Sequence, residues 1–112
     1  MKKTKLGEFE ELVLLTVVVL QQQAYGVMIK QELEKRLNEK LSVGSVQSAL
    51  KRMEEKQYLT SAYGEATQKR GGKRKKIYTA TPEALRVLSE LRTIRDNFWA
   101  TIPQAIRNLV WV

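Results

Sequence analysis

The residues best placed to do chemistry in this chain are cations. Six of the eight residues from Lys69 to Lys76 are basic (Lys69, Arg70, Lys73, Arg74, Lys75 and Lys76), and Gly71 and Gly72 sit among them. Such a run suits a polyanionic partner. Ammonium and guanidinium groups neutralise phosphates, and the glycines let the backbone turn tightly and come close. The rest of the inventory argues against catalysis. The 112 residues include no cysteine and no histidine, which removes the thiol nucleophile, the commonest general base and the commonest zinc ligands together. Carboxylate pairs remain at Glu10 with Glu11, Glu32 with Glu34, and Glu54 with Glu55. They lie in charged helical contexts and are read as solvated faces, so no enzymatic activity, metal or cofactor is expected.

The net charge of +8 is unevenly placed. Lys69 to Lys76 holds six positive charges and no acid, so the remainder carries +2, and without Lys2, Lys3 and Lys5 it carries −1. A near-neutral body with one basic segment and one basic tail is the footprint of a nucleic-acid binder. The longest apolar run, Leu12 to Leu20, is far short of the about 20 residues that a bilayer span requires. Glu8, Glu10 and Glu11 precede it where a signal peptide would be basic, and "QQQAYG" after it offers no small-residue cleavage site. A cytoplasmic protein with no membrane partner is expected.

One domain of this size must position the cations. Leu6 to Gln23 reads as a first helix, with acids at its start and an apolar stretch nearly all round from Leu12 to Leu20, so it is expected to be central. "AYGVMIKQELEKRL" gives a second helix, with Tyr25, Ile29, Leu33 and Leu37 recurring every four residues. "SVGSVQSALKRMEEKQ" gives a third, capped by Ser42, with Val43, Val46, Leu50 and Met53 as its apolar stripe. The opposite face carries Gly44, Ser45, Ser48, Lys51, Arg52 and Glu55, with Gln47 at its edge. Small polar residues followed by Lys and Arg suit a helix that enters a major groove, although an ordinary solvated surface would look similar.

Two runs rich in Thr, Tyr and Ile follow, Leu59 to Tyr63 and Lys75 to Ala80. They predict a β-hairpin whose long loop presents the basic cluster. Thr81 and Pro82 start a fourth helix at its cap and first turn, and Pro103 should end or kink it near Ile102. Ala84, Leu88, Leu91, Phe98 and Ile102 line one side of it, with Leu85 and Trp99 alongside. A last short helix is expected within "PQAIRNLVWV". Three helices, a basic hairpin and a helix make a mainly α fold with a small β-hairpin, the layout of a winged helix-turn-helix domain. Residues 1–80 are expected to form that domain, and 81–112 a C-terminal dimerisation helix and tail.

The stretches "LGEFEELVLLTVVVL", "AYGVMIKQEL", "GSVQSALKRMEEK" and "GGKRKKIYTATPEAL" resemble the PadR family of bacterial transcriptional regulators, over Leu6 to about Leu88. The resemblance implies a DNA-binding repressor, dimeric through its C-terminal helix and often released by a small molecule. Three positions depart from the family pattern. Gln47-Ser48 replaces a frequent Tyr-Pro, so the contacts of that tyrosine do not carry over. Gln57 stands in place of a usual glycine after the third helix, which implies a differently shaped turn. Ala84 replaces a frequent glycine near the start of the last helix.

Double-stranded DNA is therefore the expected partner, contacted by Ser45, Gln47, Ser48, Lys51 and Arg52 of the recognition helix. Ser45, Gln47 and Ser48 would touch bases or phosphates, and Lys51 and Arg52 would set position on the backbone. Lys69, Arg70, Lys73, Arg74, Lys75 and Lys76 of the wing would touch phosphates or the minor groove. Leu88, Leu91, Phe98, Trp99 and Ile102 are the expected homodimer interface, with packing inside one chain as the other reading. Some relatives stack flat drugs between tryptophans, which makes Trp99 a candidate wall for a small aromatic or cationic effector as well as an interface residue. Two other functions reuse such folds: a protein-interaction adaptor, which need not keep its basic wing and open third-helix face on the same side, and an RNA-binding module.

Overall fold

A computed structural model of the chain describes residues 6–64 and 75–110. The elements are α1 (Glu8–Leu20), a short 3-10 turn (Gln21–Gln23), α2 (Gly26–Leu37), α3 (Val43–Glu55), β1 (Leu59–Tyr63), β2 (Lys76–Ala80), α4 (Pro82–Thr101) and α5 (Gln104–Val110). Their order is the one expected, with a two-stranded antiparallel hairpin between α3 and α4.

In α1 the β-prone "TVVVL" segment is helical because tertiary burial outweighs local propensity. Val13, Leu14 and Val17 are buried in the core, and the Thr16 hydroxyl donates to the Leu12 carbonyl at 2.7 Å. The Gly7 N–H is taken by Glu10 Oε1 at 3.0 Å, so the first turn has a side-chain partner for one of its free donors. α1 is central as expected, packing against α2, α3, β2 and α4, but its apolar surface is not all buried. Leu15 is 41% exposed and Val19 52% exposed, because among the described residues little packs on that side of the helix.

Ile29 and Leu33 of α2 pack into the same core. Asn38 ends α2 in the left-handed region at φ 54. Glu34 then holds the loop to α3, accepting from the Leu41 N–H at 2.8 Å and from Lys30 Nζ at 3.1 Å. Those two contacts, the backbone one first, lower the Glu34 pKa below the ordinary carboxylate value.

The Ser42 hydroxyl accepts from the Ser45 N–H at 3.0 Å and caps α3. The buried stripe of α3 is Val46, Ala49, Leu50 and Met53. Val43, expected in that stripe, is 62% exposed. As the first helical residue it lies at the edge of a groove beside Val27 of α2, past the packed layer, while the smaller Ala49 fills the inward position. At the other end of α3 the Gln57 and Tyr58 N–H groups donate to the Glu54 and Met53 carbonyls at 3.0 and 2.8 Å. That pattern needs a left-handed residue, and Gln57 supplies it at φ 65. The turn expected to change shape at this position is thus closed by a non-glycine residue held in the conformation that favours glycine.

The strands pair from Leu59 with Ala80 to Tyr63 with Lys76, and Leu59 and Tyr78 face the core. Thr81 joins three elements. Its hydroxyl donates to the Gln57 carbonyl at 2.9 Å and accepts from the Ala84 N–H at 3.2 Å, and its N–H donates to the Tyr58 carbonyl at 3.0 Å. Ala84 and Val87 are the buried residues of α4, with Leu88 partly buried against the same core. Beyond them this 20-residue helix, about 30 Å long, projects outward. It stops at Ile102, the residue before Pro103, which adopts the extended conformation that proline imposes.

Candidate nucleic-acid interface

The outward residues of α3 and the stem of the hairpin face one another. Gln47, Ser48, Lys51 and Glu54 of α3 and Lys76 and Tyr78 of β2 line a single open cleft of about 410 Å³. Helical periodicity puts Ser48 and Lys51 on the face opposite the buried stripe and Gln47 at its edge, and strand pairing brings Lys76 alongside. Glu54 ties the two sides together, accepting from the Ser61 hydroxyl at 2.7 Å and pairing with Lys76 Nζ at 3.4 Å. Ser45, also exposed, sits at the N-terminal turn, where its hydroxyl donates to the Ser42 carbonyl at 2.9 Å.

Arg52 points elsewhere. Its Nε donates to Glu10 Oε2 at 2.8 Å, and Lys56 Nζ reaches Glu10 Oε1 at 2.9 Å. The reading of Glu10 and Glu11 as a solvated face is therefore corrected. Glu10 is 5% exposed and anchors α3 to α1, while Glu11 is buried and pairs with Arg95 of α4 at 2.9 Å. Burial acts to raise the Glu10 pKa, but the hydrogen bonds from Arg52, the Gly7 N–H and Lys56 prevail and lower it to about 2. Charge patterning along α1 and α3 could not reveal a partner so distant in sequence. Glu32 and Glu34 make ordinary i,i+4 pairs with Arg36 and Lys30.

Of the predicted wing cations, Lys75 and Lys76 are described; Lys69, Arg70, Lys73 and Arg74 lie outside the described residues, as do Gly71 and Gly72. The Lys75 ammonium stands over the Tyr25 ring, 3.8 Å from its centroid. Leu91 on α4 and Ile102 just past its end are half-buried, whereas Phe98 is 71% and Trp99 48% exposed. Trp99, Asp96, Ala100, Gln104, Arg107 and Asn108 line a hollow of about 510 Å³ between α4 and α5, and Arg107 donates to the Trp99 carbonyl. Among the described residues no cluster of His, Cys, Asp or Glu could hold a metal ion, and no helix is long and apolar enough to cross a membrane.

Comparison with known proteins agrees with this geometry. Residues 14–90 match the family model described as the transcriptional regulator PadR-like family. No curated protein matches the sequence. Among solved structures, a PadR-like transcription factor from Bacteroides fragilis is 24% identical, with 83% of this chain and 84% of that one covered at a TM-score of 0.66. A PadR family transcriptional regulator from Eggerthella lenta is 24% identical, with 94% and 88% covered and a TM-score of 0.60. A PadR-like transcriptional regulator from Bacillus cereus is 22% identical, with 90% and 92% covered and a TM-score of 0.63. At these identities the structures establish the shared winged-helix fold.

Proposed function

The chain belongs to the PadR-like family of transcriptional regulators, and from that premise we propose that it is a homodimeric repressor that reads a pseudo-palindromic DNA operator. Membership makes it a regulator rather than an enzyme. The observation that carries the finer reading is the shared cleft. The open face of α3 and the basic stem of the hairpin lie on one side of the molecule, with Lys51 and Lys76 both lining it. An adaptor would have no need of that arrangement.

In this reading Gln47 and Ser48 address base edges, Ser45 and Lys51 address bases or phosphates near the mouth of the groove, and the wing grips the flanking backbone. Arg52, held by Glu10 and half exposed outside the cleft, is left to a flanking phosphate at most. A single helix reads few base pairs, so two copies with their α3 helices about 34 Å apart would read an inverted repeat. Phe98 and Trp99 on α4, together with Leu15 and Val19 on α1, offer the apolar surface that a second chain would cover. The hollow beside Trp99 is the candidate site for a flat small-molecule effector.

Fluorescence anisotropy with duplex DNA, titrated at several salt concentrations, tests the reading. The comparison protein carries Lys73→Ala, Arg74→Ala, Lys75→Ala and Lys76→Ala together. If two wing side chains per subunit contact phosphate, log affinity against log salt should have a slope of about −3 to −4 from the wings alone. The variant should give a shallower slope. No binding at low salt would overturn the DNA reading, and stronger binding to RNA than to duplex DNA would replace it. An unchanged slope in the variant would move the contacts off the wing.

A further inference from the structure

The short segment Ala24-Tyr25-Gly26 touches both of the elements that would read DNA. On one side it extends the hairpin. The Ala24 carbonyl accepts the Tyr78 N–H at 2.8 Å, and Tyr25 forms an isolated antiparallel bridge with Ile77. The Tyr25 ring then carries the Lys75 ammonium at 3.8 Å, well inside the about 6 Å over which a cation is attracted to an aromatic face. On the other side it meets α3. A Cβ added at Gly26 would lie 2.7 Å from the Gln47 Nε2 and 4.0 Å from its Cδ.

We propose that Tyr25 and Gly26 are positioning residues for operator recognition, Tyr25 setting the root of the wing and Gly26 setting the Gln47 amide. This inference rests on the DNA-binding reading above. A two-stranded hairpin has little stability of its own, so its direction relative to α3 must come from contacts at its base. Glu54 supplies them on the α3 side through Ser61 and Lys76, and Tyr25 supplies them on the opposite side through Ile77 and Lys75. Lys75 thereby acts as a stay for the wing. At Gly26 the geometry separates fold from function. The atom that a methyl group would strike is the far end of a flexible side chain, so alanine there costs the fold little but displaces the Gln47 amide, which addresses base edges in the DNA reading.

Two measurements test the proposal, one without DNA. In NMR spectra of the free protein, the side-chain methylene protons of Lys75 should show upfield ring-current shifts. Those shifts should persist in Tyr25→Phe and vanish in Tyr25→Leu. With a duplex the protein prefers, Tyr25→Leu should bind about three- to fivefold more weakly at unchanged thermal stability, and Tyr25→Phe should match the parent. Gly26→Ala should lose discrimination against base changes to the same extent as Gln47→Ala, and should add nothing in a Gln47→Ala background. Lys75 shifts indifferent to Tyr25→Leu, wild-type affinity in that variant, or additive losses from Gly26→Ala and Gln47→Ala would each overturn the assignment. Failure of the wild-type protein to bind any duplex would instead overturn the DNA reading, and the positioning role with it.

Discussion

In the winged core Leu14, Ile29, Leu50 and Met53 are completely buried, while on the outer part of α4 Phe98 is 71% and Trp99 48% exposed. Both regions are helical and both carry apolar stripes, so the contrast lies in what covers them. The core closes on itself because α1, α2, α3, the hairpin and the first turns of α4 each present a stripe to the others. Among the described residues, the outer part of α4 is tied to α1 by the Glu11–Arg95 pair and to α5 by the Arg107–Trp99 hydrogen bond. Its Phe98 and Trp99 nevertheless stay exposed, as do Leu15 and Val19 of α1. Under the proposed dimer, stability within one chain and assembly between chains fall to different residues, and the two can be separated by mutation.

The largest effect should come from the covered side. Leu50→Ala removes a fully buried side chain and is expected to cost about 2–5 kcal/mol, read as a lowered denaturation midpoint. Phe98→Ala with Trp99→Ala should leave the monomer's unfolding nearly unchanged while abolishing any concentration dependence of the melting temperature. A large loss of stability from the α4 pair at low protein concentration would erase the distinction between the two regions.

A smaller effect belongs to the ion-paired contact between α1 and α3. Glu10→Gln is expected to cost about 2 kcal/mol at neutral pH, since Arg52 and Lys56 keep partial access to water. The pKa of Glu10 is lowered to about 2 from 4.5, so its contribution is fully present above pH 4.5 and is lost as pH falls toward 2. Acid titration of stability should therefore lose part of its slope across that window in the variant. An unchanged acid profile would mean that other carboxylates govern it.

The smallest effect should be a gain. Gln57 sits at φ 65, where a side chain is strained, and Gln57→Gly should stabilise the protein by about 0.5–1 kcal/mol after the added freedom of the unfolded chain is counted. A loss of stability would show that the Gln57 side chain contributes more than its backbone strain costs.

These contrasts also mark how far the sequence could be read. The caps Ser42 and Thr81, the stop at Ile102 before Pro103, both strands, and the exposed face of α3 were legible because each is written in neighbouring residues: a hydroxyl before a helix, a proline, an alternation, a period of 3.6. What escaped depends on distance in the chain. Glu10 looks like one more acid in a first turn until α3 brings Arg52 and Lys56 beside it. Leu15 and Val19 are as apolar as Val13 and Val17, and only the arrangement of the other elements decides which pair is covered. Val43 fits the helical stripe but lies past the end of the packed layer. At the site, the face of Gln47, Ser48 and Lys51 was legible from periodicity, whereas the partnership of Tyr25 with Lys75 and of Gly26 with Gln47 required the fold.

The most direct test of a dimeric reader is selection of duplexes from a random-sequence library by the intact protein. A dimeric reader should enrich an inverted repeat with half-site centres about 10 base pairs apart, one helical turn, to match two α3 helices. Enrichment of one asymmetric motif, or of no motif at all, would contradict it.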